Sequence, residues 1–146
     1  MAHIVKKIFG SRTLPEGMGE AEMRTYMDAN FPVWVTEFEN GGFLEKTALP
    51  PVESEDALID KLIEHENQLV VLKYWKRGCI PCLGFAEMYK EVQARCEAKG
   101  LPVVFYSVDT KSKDAKQLCS QQLVDGTPTI QTFLGGRQVG EEIRAT

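Results

Sequence analysis

The chain has 146 residues, a net charge of −4, 43% hydrophobic residues and 26% charged ones. These values suit a soluble globular protein with one main core, and they exclude a basic field strong enough to argue for nucleic acid. No apolar run approaches the roughly 20 residues of a membrane-spanning helix. The N-terminus also lacks the apolar stretch of a secretory signal. Four cysteines without framework spacing argue for an intracellular compartment.

Residues 1–53 read as an extension. Met1 to Pro15 carries Lys6, Lys7 and Arg12 and no acidic residue, and Ile4, Val5, Ile8 and Phe9 share a helical face. A basic, acid-poor, amphipathic start fits a mitochondrial targeting segment; a short docking arm is the plainer alternative. Gly19 to Asn30 has helical character, which Pro32 is expected to end. Val33 to Phe38 reads as a strand, and Asn40-Gly41-Gly42 as the tight turn of a hairpin leading into Phe43-Leu44. Pro50-Pro51 then marks a linker.

Residues 54–146 read as the main domain. Ser54 is expected to cap a helix with Glu55 and Asp56 at its positive end and Leu58, Ile59, Leu62 and Ile63 inward. Leu69 to Trp75 is a buried strand by its β-branched, apolar run. The helix after it is expected to extend to about Ala98, with Phe85, Met88, Tyr89, Val92 and Cys96 on one face. Pro102 to Val108 is a second buried strand. A helix from Ser112 to Leu123 follows, with Ala115, Leu118, Cys119 and Leu123 inward. Thr129 to Leu134 and Arg137 to Ile143 form a hairpin about Gly135-Gly136. The order α-β-α-β-α-β-β predicts an α/β fold with a mixed sheet flanked by helices.

Cys79-Ile80-Pro81-Cys82 lies at the junction of the first strand and its helix. The helix N-terminus offers unpaired N–H groups and positive potential, which favour a thiolate on Cys79. Cys82, one turn on, is near enough to resolve a mixed disulfide. Pro81 suits the first helical turn. Zinc would require further ligands, usually in pairs, and His65, Cys96 and Cys119 are not at paired ligand spacing, so no metal is expected. Cys96 and Cys119 lie on apolar sides of helical patterns and read as core cysteines.

With Gly126-Thr127-Pro128-Thr129 before the hairpin and Tyr74-Trp75 and Val108-Asp109 ending the two strands, the segment from Ser54 to Ile143 resembles the thioredoxin family. The resemblance implies a thioredoxin-like mixed sheet and a cis Thr127–Pro128 bond facing the dithiol. It also implies a substrate strand held beside Cys79 by Thr127 and Pro128, with Trp75 flanking the site. No cofactor is implied beyond a redox-active Cys79–Cys82 disulfide. Two departures stand out. Lys73 occupies the position where the family carries a buried Asp, with Glu87 or Asp109 as conceivable partners. Gly78 stands where the family usually carries Trp just before the motif, and Lys76 and Arg77 add further positive charge, so Lys73, Lys76 and Arg77 are read as tuning the thiolate. The hairpin also reaches the end of the sequence, so the family's final helix is not expected, and a sheet face with Ile130 and Val139 would need cover from the extension or a partner protein.

Two functions fit. One is a thiol–disulfide oxidoreductase in which Cys79 attacks and Cys82 resolves, with electrons from an NADPH-linked thioredoxin reductase or a glutathione system. The other is a structural subunit of a larger mitochondrial respiratory, ribosomal or axonemal assembly, in which the fold serves as a docking module.

Overall fold

The computed structural model describes residues 2–144. The elements are α1 (Ala2–Phe9), α2 (Glu20–Asn40), α3 (Phe43–Thr47), α4 (Glu55–Glu64), β1 (Leu69–Trp75), α5 (Ile80–Ala98), β2 (Val103–Asp109), α6 (Ala115–Gln121), β3 (Thr129–Leu134) and β4 (Arg137–Arg144). The sheet is four-stranded with order β2-β1-β3-β4. β1 is parallel to β2 and antiparallel to β3, and β3 is antiparallel to β4. A single parallel bridge, Pro51 to Ser107, extends the β2 edge.

Alternation along β1 sends its residues to two different cores. Val70, Leu72 and Tyr74 pack with Leu58 of α4, Ala115 and Leu118 of α6, and Phe133 of β3. Val71 faces the other way, with Phe105, Ile130 and Tyr89 of α5. Ser54 caps α4 as expected, its hydroxyl accepting the Ala57 N–H at 3.1 Å. Ile59, Ile63, Met88 and Val92 are exposed rather than inward. The buried stripe of α5 is instead Cys82, Leu83, Ala86 and Tyr89. Leu123 is likewise exposed, at φ +57°; the chain reverses there, with the Val124 N–H on the Cys119 carbonyl at 2.8 Å. Val124 takes the inward position.

The extension holds the largest correction. Val33 to Phe38 is helix, not strand, and α2 runs unbroken through Pro32. Gly41 and Gly42 join two helices rather than two strands, with Gly42 at φ +85° preceding α3, so Phe43-Leu44 is helical. A proline inside a helix costs about 3 kcal/mol. Packing outweighs it here: Phe9, Tyr26 and Phe31 surround Trp34 at centroid distances of 5.8, 6.2 and 6.4 Å, all edge-on. Ile4, Ile8, Trp34, Val35 and Leu44 share one cluster with Trp75, Cys79, Cys82, Leu83 and Ala86. Ile4 and Ile8 of the basic N-terminal helix are therefore part of the core, with Phe9 packed against it, whereas Val5 is exposed. The extension covers the start of α5, whereas α5 itself covers Ile130. Val139 is half-buried, and Leu134 and Ile143 on the hairpin are exposed.

Trp34→Ala is expected to cost about 3–5 kcal/mol, the usual range for a large aromatic removed from a core. Urea unfolding at neutral pH measures it; a loss below 1 kcal/mol would mean that α2 is not held by this packing.

Candidate functional site: a covered dithiol

Cys79 caps the N-terminus of α5, and Cys82 stands one turn in. The Cys82 N–H points at Cys79 Sγ at 3.2 Å, so one of the helix's free donors is directed at the sulfur that would carry negative charge. The two cysteines form a disulfide with a Cα–Cα distance of 5.2 Å. Thr127–Pro128 is cis, and the Thr127 carbonyl oxygen lies 3.5 Å from Cys79 Sγ. The loop expected to face the dithiol therefore does so. Pro128 is buried and Thr127 half-buried. Buried polar atoms flank the pair without a hydrogen-bond partner: Thr127 Oγ1 and Trp75 Nε1. Beyond Thr127 lies an open cleft of about 370 Å³ lined by Lys76, Lys116, Cys119, Asp125 and Gly126.

The pair is not open to solvent. Cys79 is 6% exposed and Cys82 1%, because Ile4, Ile8, Trp34, Val35 and Leu44 of the extension pack in the same cluster. Polar contacts fasten the same segment. Arg77 pairs with Glu45 of α3 and reaches Asn40 Oδ1 at 3.3 Å. Lys7 of α1 pairs with Glu87 of α5. The Gly78 N–H, immediately before Cys79, donates to both carboxylate oxygens of Glu39, at 2.8 and 3.2 Å. Glu39 is 3% exposed.

Of the residues read from sequence as tuning the thiolate, Lys76 sits on the cleft beside Thr127, while Arg77 is turned toward the extension. Lys73 is 2% exposed. Neither Glu87 nor Asp109 pairs with it: Glu87 is taken by Lys7 and His3, and Asp109 accepts the Lys111 N–H. Its Nζ lies 4.6 Å from the centroid of the Tyr89 ring, a cation–π contact. Tyr89 is itself held by its hydroxyl donating to the Val71 and Tyr106 carbonyls. Burial pulls the Lys73 ammonium down to about 8 from 10.5. Sequence reasoning missed Glu39, whose only signal was an acidic residue inside an aromatic-rich run.

A cysteine pair at the start of a helix, facing a cis-proline loop on a mixed sheet, defines the thioredoxin-like class of thiol–disulfide folds. The thioredoxin family model matches residues 51–145, and the chain belongs to that family. It is 32% identical over 87 residues to a thioredoxin of Peptoclostridium acidaminophilum, covering 60% of this chain and 74% of that protein. It is 26% identical over 104 residues to a putative protein disulfide-isomerase of Schizosaccharomyces pombe, covering 71% of this chain but only 20% of that one. Among solved structures, a chain in the complex of ferredoxin:thioredoxin reductase and thioredoxin f2 superposes with a TM-score of 0.57 at 22% identity. The match spans 68% of this chain and 84% of that one, and it bears on fold alone. Glu39 and α1 to α3 lie outside the matched family segment.

The Lys73 environment makes a pH prediction. The group binds its proton less tightly folded than unfolded, so stability rises as pH climbs from about 8 to 10.5, by about 3 kcal/mol in all. Lys73→Met is expected to be more stable than wild type at pH 7 and to lose that rise. Urea unfolding at both pH values, read as the difference between the two proteins, tests it. A difference that does not change with pH would contradict the burial argument.

Proposed function

We propose that this chain is a thiol–disulfide oxidoreductase acting on protein disulfides through Cys79 and Cys82. The observation that carries the reading is the disulfide at the N-terminus of α5, opposite the cis Thr127–Pro128 loop. In the reduced protein, the Cys79 thiolate attacks one sulfur of a substrate disulfide. The other substrate sulfur leaves as a thiolate and takes a proton. Cys82, losing its own proton, attacks Cys79 Sγ and releases the second substrate thiol. Two electrons have then passed to the substrate, and Cys79–Cys82 is again a disulfide. A dithiol reductant restores the pair, either an NADPH-linked reductase or a glutathione system.

The substrate strand lies along the Thr127–Pro128 edge in this reading, with Trp75 behind the dithiol and Lys76 at the cleft rim. Lys73, uncharged above about pH 8, stands on β1 on the face that α5 covers and tunes the site from that side. Protein substrates reach Cys79 only when the extension shifts from it. That cover also supports the second reading, a docking subunit of a larger mitochondrial respiratory, ribosomal or axonemal assembly with little or no turnover of the dithiol.

Reduction of a model protein disulfide such as insulin by dithiothreitol separates the two. Wild type is expected to accelerate it, Cys79→Ser to lose all acceleration, and Cys82→Ser to accumulate a mixed disulfide through Cys79, seen by mass spectrometry. Iodoacetamide is expected to label Cys79 before Cys82, Cys96 or Cys119 in the reduced protein. A wild type without acceleration, in which Cys79 labels only after denaturation, would favour the docking subunit.

A further inference from the structure

Glu39 is a buried carboxylate with no ion-pair partner among the described residues. Neighbouring charges are matched: Lys7 with Glu87, Arg12 with Glu37, and Arg77 with Glu45. Lys76 faces the cleft on the other side of the loop, and the Lys73 ammonium stands over Tyr89. The groups packed on Cys79 from α1 and α3 are the apolar Ile4, Ile8 and Leu44. Glu39 is thus the unneutralised acidic group fixed against the loop that carries the attacking sulfur. Its hold is on a backbone donor, the Gly78 N–H, at a residue with φ +79°.

We propose that Glu39 is a positioning residue of the dithiol: it fixes the left-handed turn before Cys79 and sets a buried negative charge against the residue that precedes Cys79, disfavouring the thiolate and favouring the disulfide. The inference rests on Cys79 being the exchanging sulfur. A like charge in a site of low dielectric opposes ionisation of its neighbour, here against the pull of the helix N-terminus. The effect on the redox equilibrium appears where the reduced pair is ionised. In that range the dithiol form plus oxidised dithiothreitol is less favoured, relative to the disulfide plus reduced dithiothreitol, than it would be without the carboxylate. Two electrons move in that exchange; of the two protons that neutral dithiothreitol gives up, one goes to Cys82 and the other to solvent, leaving Cys79 as the thiolate.

Glu39→Gln keeps an acceptor for Gly78 and removes the charge. In the fully reduced, full-length protein, the midpoint pH of Cys79 alkylation by iodoacetamide is expected to fall by about one unit. At pH 9.5 the equilibrium with dithiothreitol is expected to move about tenfold toward the dithiol, or about 30 mV. A lowered melting temperature with an unmoved midpoint and equilibrium would mean that Glu39 is only structural, and would overturn the proposal. Should Glu39→Gln not fold, Glu39→Met removes the same charge with an apolar side chain suited to the buried position: the same fall in midpoint upholds the proposal, and an unmoved midpoint overturns it. Failure of the wild type to reduce insulin, with the midpoint shift present, would sink the oxidoreductase reading and leave the role of Glu39 standing.

Discussion

Ile4, Ile8, Trp34, Val35 and Leu44 leave water by packing on Trp75, Cys79, Cys82, Leu83 and Ala86. The stability of the extension and the accessibility of the dithiol are therefore linked. Each such side chain contributes about 1.5–3 kcal/mol when fully buried. The ion pairs Lys7–Glu87 and Arg77–Glu45 that also join the two parts are partly exposed and are worth about 0–1 kcal/mol apiece. Apolar contact thus sets how firmly the cover sits, and the charges set its register. Cys79, 6% exposed, becomes accessible only to the extent that this packing yields.

The sheet supplies what the cover acts on. β1 ends at Trp75, and the turn through Gly78 delivers Cys79 to the start of α5. β3 begins directly after the cis bond, so the antiparallel pairing of Tyr74 with Thr129 brings Thr127 alongside the cysteines. The site is assembled by the central strand pair, which is buried and rigid. The cover comes from helices that belong to no strand pairing. Access can therefore change while the strand pairing stays intact, although the turn before Cys79 is tied to the cover through Glu39.

The strands and the helices from Ser54 onward were legible because each has one dominant local signal. Leu69 to Trp75 is an apolar run interrupted by Lys73 alone, Ser54 is a strong cap, and Gly135-Gly136 is a strong turn. The cis bond was legible only through the resemblance, since Thr127-Pro128 has no local mark that separates cis from trans. Residues 33–44 were misread because Pro32 and Asn40-Gly41-Gly42 are breakers by local rules, and the aromatic packing around Trp34 that overrides them is tertiary. The same gap hid Glu39. Its value depends on Gly78, thirty-nine positions away, and no periodicity connects the two. Lys73 was legible as an anomaly, but its solution was not: it is neither paired nor exposed, and it rests on an aromatic face.

Glu39 and Lys73 are both buried, of opposite charge, and satisfied separately, one by a backbone N–H and the other by a ring. Their consequences differ because they stand on different elements. Lys73 belongs to β1 and stands over Tyr89 of α5, neither of which is part of the extension. Glu39 belongs to α2 and is buried only while the cover is seated. Burying a carboxylate on one N–H recovers only part of its hydration, so lifting α2 returns solvation to Glu39 while it strips Trp34 and Val35 of their contacts. The two terms oppose each other, which makes opening less costly than the apolar area alone implies. On the proposed role of Glu39, reduction acts in the same direction: a Cys79 thiolate near that buried carboxylate raises the energy of the closed form, whereas the neutral disulfide does not. The oxidised protein is accordingly the one that holds its cover most firmly.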